Sequence, residues 1–330
     1  MRSFALTVTL LLKSSLFASS ASKRPVTLLT FDVDGTLVQG SSQAAQVSAH
    51  ARAFGYAIGK VFGSVDDWHL KYPSPPMVIP QERYHGSTDG IIALNLAYYG
   101  FKVEPAAAFP KLNDVFKEMY DFVAALPDNE VARGIDVLPG VLKTLRSIAS
   151  SDHFRSGNVL CGLVTGNVEG IARKKMRAVG ILDTRVFAPK ADDQNWDGEN
   201  EHAFLGGFGS CYCSGDIHDM SRLYKDRGEQ ILIAVRRAQS LLAPDQQLVR
   251  VVHIGDAPAD VLAAKYCAEQ SRLSAQGISV GMIAVATGKF TVDELKMLCG
   301  EPTPSWNPVV LEKGIADPQF ISSCHIVSRV

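Results

Sequence analysis

Short apolar runs that alternate with amphipathic stretches constrain the fold of this chain more than any other feature of its sequence. One run covers residues 26–31, and later runs end at Val164, Ile254 and Ala286. Between them, apolar residues recur at the three- and four-residue spacing of helices. Strands that alternate with helices in this way form a parallel sheet covered on both faces. We therefore predict an α/β fold with a doubly wound parallel sheet.

Acidic residues follow two of these predicted strands directly. Asp32 and Asp34 come after the first run, and Asp256 and Asp260 come after the run that ends at Ile254. In an extended segment residues i and i+2 point the same way, so Asp32 and Asp34 can approach one site. Carboxylates near a buried strand end lose hydration and repel one another, which favours a bound cation. Magnesium prefers such hard oxygen ligands, so we predict a Mg²⁺ site at this edge of the sheet.

The segment after the first strand has a different character from the rest of the chain. Residues 42–134 contain alanine-rich and aromatic stretches typical of helices. Such an insert would lie over the carboxyl end of the first strand, where open α/β sheets bind ligands. We predict an α/β core formed by residues 24–41 and 135–330, and an all-helical cap formed by residues 42–134, the helical insert.

Charge excludes one class of partner. The formal net charge is −1 and the sequence pI is about 6.7. A chain without excess basic charge has no field that would gather nucleic acid along a phosphate backbone, so we predict no nucleic-acid partner.

Residues 1–23 are predicted to be a targeting segment. They contain several serines and no acidic residue, and an apolar run over residues 4–12 is too short to span a bilayer. Serine content and the lack of acids favour a cleaved organellar (plastid or mitochondrial) transit peptide, with a secretory signal or a cytoplasmic protein as the alternatives. The mature chain is predicted to have no membrane span.

The 6 cysteines are scattered and show no dense disulfide framework. A chain of this length does not need disulfides for stability, so most of them are predicted to be free buried thiols. An alternative for Cys211 and Cys213, with His218 nearby, is that they form half of a zinc site.

Three motifs resemble those of a known family. "DVDGT" at residues 32–36, "LVTGN" at 163–167 and "IGDAPADV" at 254–261 resemble the first, second and fourth motifs of the haloacid dehalogenase superfamily, in its phosphatase branch with a helical C1-type cap. They occur in the right order, each at the end of a predicted strand. Any one of them alone would be weak evidence, but the combination is specific.

The resemblance implies roles for the acidic residues. Asp32 would be the nucleophile that forms an aspartyl-phosphate, and Asp34 the general acid and then the general base. Asp32, the Asp34 carbonyl and Asp256 would hold Mg²⁺. Asp260 would support the metal ligands or a basic residue. The supporting residues at the turn are Gly35 and Thr36.

The resemblance also implies a phosphate site. Thr165, with the backbone N–H groups of Gly166 and Asn167, would bind phosphate oxygens. The basic residue of the third motif is either Arg227 or Lys225, and the "DR" pattern before a predicted helix favours Arg227.

A stretch of the helical insert adds a finer resemblance. "YHGSTDG" at residues 84–90 resembles a cap stretch of phosphoglycolate-phosphatase-like members. His85, Thr88 and Asp89 would then face the organic part of the substrate. The alternative is that this stretch only caps the helix that follows it.

These features predict a Mg²⁺-dependent phosphomonoester hydrolase that acts on a small phosphorylated metabolite. A phosphomutase on the same core and a non-catalytic phospho-ligand binder are the alternatives. Asp34 argues against a dehalogenase, which needs no acid at that position, and a phosphonatase would use a lysine of the cap, for which Lys60 is a candidate by position only. The natural substrate and the oligomeric state stay open.

Overall fold

A computed structural model describes residues 23–41, 48–63, 78–80, 83, 86–187, 204–303 and 306–324. Nearly all of the predicted targeting segment, and His85, lie outside these residues. No helix in the described part of the chain combines the length and the apolarity needed to cross a bilayer.

The strands are built from the apolar runs of the sequence. In chain order they are β1 Arg24–Phe31, β2 Val38–Gly40, β3 Ile135–Val137, β4 Val159–Thr165, β5 Gly206–Phe208, β6 Gln246–Gly255, β7 Ser279–Val285 and β8 Trp306–Leu311. A 6-stranded parallel sheet has the order β5-β4-β1-β6-β7-β8. Every residue of β4 is buried, as expected when helices cover both faces of a sheet. The predicted α/β fold is confirmed.

Helices follow the strands, and the longer helices outside the helical insert cover the two faces of the sheet. In chain order they are α1 Ala49–Phe62, α2 Asp89–Phe101, α3 Pro105–Ala108, α4 Leu112–Ala124, α5 Asp128–Ala132, α6 Val141–Ser150, α7 Asp152–Arg155, α8 Glu169–Ala178, α9 Arg222–Ser240, α10 Pro258–Ala268, α11 Ser271–Ser274, α12 Val292–Cys299 and α13 Phe320–Ser323. Short 3-10 turns lie at Phe109–Lys111, Leu182–Thr184 and Gly314–Ala316.

Alternation along β1 divides its side chains between two hydrophobic clusters. Leu29 packs with Leu145 of α6, whereas the adjacent Leu28 packs with Ile231 of α9. Successive side chains of a strand point to opposite faces, so one buried strand supplies both layers of the core. All 4 of these leucine and isoleucine side chains are buried.

The described part of the helical insert contains α1 to α5, which share a third hydrophobic cluster. The chain leaves the core through β2 and returns through β3, and these two strands pair antiparallel. Beside them, the Ser41 N–H donates to the Gly134 carbonyl at 2.8 Å. Both connections of the insert therefore lie side by side, close to the end of β1. The exact domain limits stay a prediction.

The cysteines are free, and Cys161, Cys267, Cys299 and Cys324 are buried, as expected. The half zinc site is not formed within the described residues, because its three members have different neighbours. The Cys211 Sγ accepts a bond from Arg237, Cys213 packs against Gly90, and His218 contacts the ring of Tyr98.

Candidate active site

The carboxyl ends of three neighbouring strands meet at one edge of the sheet. Phe31, at the end of β1, pairs with Leu163 of β4 on one side and with Ile254 of β6 on the other. The order of the strands reverses at β1, which makes this edge the switch point where doubly wound sheets bind ligands. A cavity of about 560 Å³ opens there, lined by core residues from all three strand ends and by residues of the helical insert.

Three buried acids converge at this edge. Oxygen atoms of Asp32, Asp256 and Asp260 lie within 4.8 Å of one another. Burial, with repulsion from the neighbouring carboxylates, raises the pKa of Asp32 to about 6 although Arg227 opposes the shift. Burial and the charges of Asp260 and Asp32 also raise the pKa of Asp256 well above its ordinary value. The cluster favours additional positive charge, which a divalent cation with oxygen ligands would supply.

Asp260 already has protein partners for both of its oxygens. Its Oδ1 accepts from Arg227 at 2.8 Å and lies 3.2 Å from His253 Nε2, and its Oδ2 accepts the Ala257 N–H at 3.0 Å. Burial raises the pKa of Asp260, but Arg227 and His253 outweigh this and hold it below its ordinary value. Asp32 and Asp256 are therefore the better side-chain ligands for a metal, and Asp260 is the charge partner of Arg227.

The structure distinguishes the two candidates for the basic residue. The Arg227 side chain is 4% exposed, and its NH1 lies 3.0 Å from Asp32 Oδ1. Lys225 is half-buried and is not among the residues that line the cavity. Two helical residues that are two positions apart point about 200° away from each other, so only one of the pair can face the site. Asp260 and Asp32 raise the pKa of Arg227 further despite its burial, so it stays protonated.

We expect Arg227→Gln to lower kcat for an aryl phosphate by about 10²- to 10³-fold, because a buried donor beside the reacting carboxylate is lost. Lys225→Gln is the matched control and should stay close to the wild-type value. Steady-state turnover of the two purified variants tests this. Equal losses in both would contradict the assignment of Arg227.

A tight turn holds Asp256 in place. Gly35 has φ +86°, in the left-handed region, and a Cβ on it would lie 2.2 Å from Asp256 Oδ2. The Thr36 hydroxyl donates to Asp256 Oδ1 at 3.4 Å, and the Thr287 hydroxyl donates to the Gly35 carbonyl at 2.6 Å. Glycine is needed at position 35 both for its backbone conformation and for the close approach of the carboxylate.

Gly35→Ala should therefore displace Asp256 and raise the Mg²⁺ concentration for half-maximal activity by about ten- to a hundredfold. Gly277 is a matched control, since it has φ +70° but no atom within 4 Å of a built Cβ. Gly277→Ala should cost about 1 kcal/mol of unfolding free energy from backbone strain and leave activity unchanged. Similar Mg²⁺ dependence in both variants would show that the contact with Asp256 is unimportant.

The predicted phosphate loop lines the same cavity. Thr165 ends β4, and the Asn167 side chain donates to Thr165 Oγ1 and to Asp34 Oδ2, both at 2.9 Å. A Cβ on Gly166 would lie 2.6 Å from the Ser87 carbonyl and 3.3 Å from Arg227 NH2. The loop is thus packed between the core and the helical insert, with its polar groups near Asp34.

Lys175 is a site residue that the sequence reasoning missed. Its Nζ lies 2.6 and 2.7 Å from the two carboxylate oxygens of Asp34 and 2.9 Å from Asn167 Oδ1. Burial raises the pKa of Asp34, but the positive charge of Lys175 and the hydrogen bonds that Asp34 accepts together hold this pKa below its ordinary value. A signal was present in the sequence: Lys175 lies three residues after Ala172 and so falls on the apolar face of α8.

The three predicted contacts of the helical insert have different outcomes. His85 lies outside the described residues. Thr88 is fully buried at the N-terminal end of α2 and is not among the residues that line the cavity, so its contact with the substrate stays a prediction. Asp89 lines the cavity, but its carboxylate contacts His50 and the Val168 N–H.

Lys60 does not approach the cavity. Its Nζ forms an ion pair with Glu118 at 2.6 Å, and its side chain is half-exposed near the end of α1. The cap lysine that a phosphonatase would require is therefore not supplied by Lys60.

An open parallel sheet with clustered acids and two buried cationic side chains at its switch point is an arrangement suited to binding an anionic group. A model of the haloacid dehalogenase-like hydrolases matches residues 26–267. The chain belongs to this family, as its motifs predicted.

Comparison with other proteins adds two solved structures. β-Phosphoglucomutase from Clostridium difficile is 13% identical, with 91% of this chain and 97% of that chain covered and a TM-score of 0.43. An archaeal β-phosphoglucomutase from Pyrococcus sp. strain ST 04 is 15% identical, with 83% and 98% covered and a TM-score of 0.26. A search of curated proteins found no match.

Proposed function

We propose that this protein is a Mg²⁺-dependent phosphomonoester hydrolase that acts on a small phosphorylated metabolite through an aspartyl-phosphate on Asp32. The observation that carries the proposal is the arrangement around Asp32 in one cavity. An acid cluster suited to a cation lies on one side of it, and Asp34 with its lysine partner lies two residues along the chain.

The residues present fit the metal. Asp32 and Asp256 would hold Mg²⁺ through their carboxylates, together with the main-chain carbonyl of Asp34. Their raised pKa values support this role, because a bound cation would relieve the repulsion between them. When bound, Mg²⁺ would polarise the phosphoryl oxygens and offset their negative charge.

Asp32 would act as the nucleophile. One of its carboxylate oxygens would form a bond to phosphorus as the bond from phosphorus to the leaving oxygen breaks. Arg227 and the hydroxyl of Thr165 would stabilise the charge on the transferring group, since positioning and electrostatics dominate this chemistry. Arg227, held by Asp260, is already oriented toward Asp32.

Asp34 would move the protons. Its carboxyl group would protonate the leaving alkoxide, and its carboxylate would then accept a proton from the water that hydrolyses the aspartyl-phosphate. Lys175 favours the carboxylate form that the second step needs. An incoming phosphate brings like charge, which raises the pKa of Asp34 and favours the protonated form that the first step needs.

Assays of phosphate release from an aryl phosphate, and separately from each member of a panel of phosphorylated metabolites, test the proposal. The panel includes phosphoglycolate because of the resemblance around "GSTD". We expect release of inorganic phosphate that stops with a chelator and returns with Mg²⁺. Activity that chelation leaves unchanged would contradict the metal role. Isolation of an isomeric sugar phosphate without release of phosphate would instead establish a mutase.

A further inference from the structure

We propose that Asp89 and His50 of the helical insert are positioning residues for the phosphate loop, residues 165–168. Asp89 would orient the donors of the loop, and His50 would hold Asp89. This inference rests on the proposed function and adds to it a direct link between the helical insert and phosphate binding.

Asp89 forms two hydrogen bonds with the loop. Its backbone N–H donates to the Gly166 carbonyl at 2.7 Å, and its Oδ2 accepts the Val168 N–H at 2.7 Å. The Gly209 N–H also donates to the loop, at the Asn167 carbonyl, with a distance of 2.8 Å. Consecutive peptide groups of the loop are thereby fixed.

Fixing these groups determines where the loop donors point. In a planar trans peptide the C=O and the N–H point in opposite directions. Because the Gly166 carbonyl faces Asp89, the Asn167 N–H of the same peptide faces away from it and lies 3.4 Å from Thr165 Oγ1. The main-chain N–H of Asp89 therefore orients this backbone donor toward the hydroxyl that is proposed to bind phosphate, and the Asp89 carboxylate fixes the next peptide through the Val168 N–H.

His50 completes this contact. Its Nε2 lies 2.9 Å from Asp89 Oδ2, where the ring N–H can be donated to the carboxylate. Asp89 is 2% exposed, so each donor to it matters more than it would at the surface. His50 lines the cavity from α1, whose first turn is capped by Ser48.

The same contact reaches the catalytic groups through α8. Val168 immediately precedes α8, and Lys175, the partner of Asp34, is on that helix. A shift at Val168 would move both the loop and the lysine. Because Asp89 bonds the loop itself, whereas Lys175 lies about two helical turns further along α8, we expect loss of Asp89 to weaken phosphate binding more than it slows the chemical step.

Two measurements on the full chain with Mg²⁺ test this inference. Calorimetry gives the Kd for inorganic phosphate, and steady-state kinetics with an aryl phosphate give KM and kcat. The His50 and Val168 donors both contact Asp89 Oδ2, and Asn at position 89 would offer them a neutral amide oxygen in place of a charged carboxylate. Because bonds to a charged acceptor are stronger, Asp89→Asn should raise the Kd for phosphate and the KM by about tenfold, with a smaller fall in kcat. His50→Leu should act in the same direction, and His50→Gln, which keeps an N–H donor, should restore part of the loss. The double variant should fall short of the summed effects.

Thr291→Ala provides the matched control. Thr291 caps α12 by accepting the Glu294 N–H at 3.3 Å, and it is not among the residues that line the cavity. Its loss should lower unfolding stability by about 1 kcal/mol and leave phosphate binding unchanged. If Asp89→Asn behaves in this way, Asp89 is only a helix cap and the inference is wrong. If Asp89→Asn does not fold, a wild-type Kd in His50→Leu would equally overturn it.

The outcome for wild type separates the two proposals. Wild-type protein that neither binds phosphate nor hydrolyses the aryl ester would overturn the proposed function and this inference together. Wild-type activity with an unchanged Kd and KM in Asp89→Asn would overturn the inference alone.

Discussion

Asp32→Asn should abolish turnover, with a fall in kcat on the order of 10⁴-fold or more. Asparagine has nearly the same shape as aspartate but cannot form the aspartyl-phosphate, so the loss reports on the chemistry and not on packing. Asp32 is 5% exposed and lies 3.0 Å from Arg227, so the site around the substituted side chain should remain assembled. Turnover of an aryl phosphate at saturating Mg²⁺ measures the effect.

The same substitution should stabilise the metal-free protein above pH 6. The pKa of Asp32 is raised from 3.8 to about 6 in the folded state, so stability from this group is lost as the pH rises through that range. Asn at this position removes the buried charge and the repulsion of Asp256. Thermal unfolding in a chelator should therefore give a higher Tm for the variant than for wild type.

Asp136→Asn is the control for this prediction. Asp136 is exposed on β3, so the same chemical change there should alter neither turnover nor Tm. Substantial residual activity in Asp32→Asn would rule out Asp32 as the nucleophile. A lower Tm in the variant would show that its contact with Arg227 stabilises the fold more than repulsion destabilises it.

Lys175→Met should lower kcat by about 10²- to 10³-fold, the usual contribution of a well-placed proton donor or acceptor. Methionine fills a similar volume but leaves the Asp34 carboxylate without its ammonium partner. Since Lys175 lowers the pKa of Asp34, its removal raises that pKa. The base form of Asp34 then appears only at higher pH, so the acidic limb of the kcat–pH profile should move to higher pH.

Lys174→Met is the matched control on the same helix. The Lys174 Nζ lies 3.2 Å from Asp128 and 3.4 Å from the Ala124 carbonyl, outside the cavity lining. We expect this variant to keep the wild-type kcat and pH profile. An unshifted acidic limb in Lys175→Met would separate Lys175 from the proton transfer by Asp34.

The fold was predictable because its signals are local. A run such as residues 26–31 has apolar or β-branched side chains at every position, which indicates a strand buried on both sides before any contact is known. The residues of α2 were likewise predicted to be helical from their composition, and the helix covers Asp89–Phe101.

The site was predictable only in part. Asp32, Asp34 and Asp256 follow strand ends, and parallel strands bring their carboxyl ends to one edge. Neither Lys175 nor His50 follows a strand end. Lys175 had only the weaker signal of its position on the apolar face of α8, because a lysine or a histidine on a helix most often faces solvent. The choice between Arg227 and Lys225 likewise depended on which side of α9 faces the sheet.

By itself the sequence determined the layered α/β architecture, the edge of the sheet where the acids meet, and the family. The periodicity of apolar residues and the position of the acids after strands can be seen from residues that are close in the sequence, so they can be identified without knowledge of tertiary contacts. Only the tertiary structure decided the partners: Lys175 meets Asp34 across 141 residues, and Asp89 meets Val168 across 79 residues. Such pairs depend on how helices pack over the sheet, which short-range patterns do not encode.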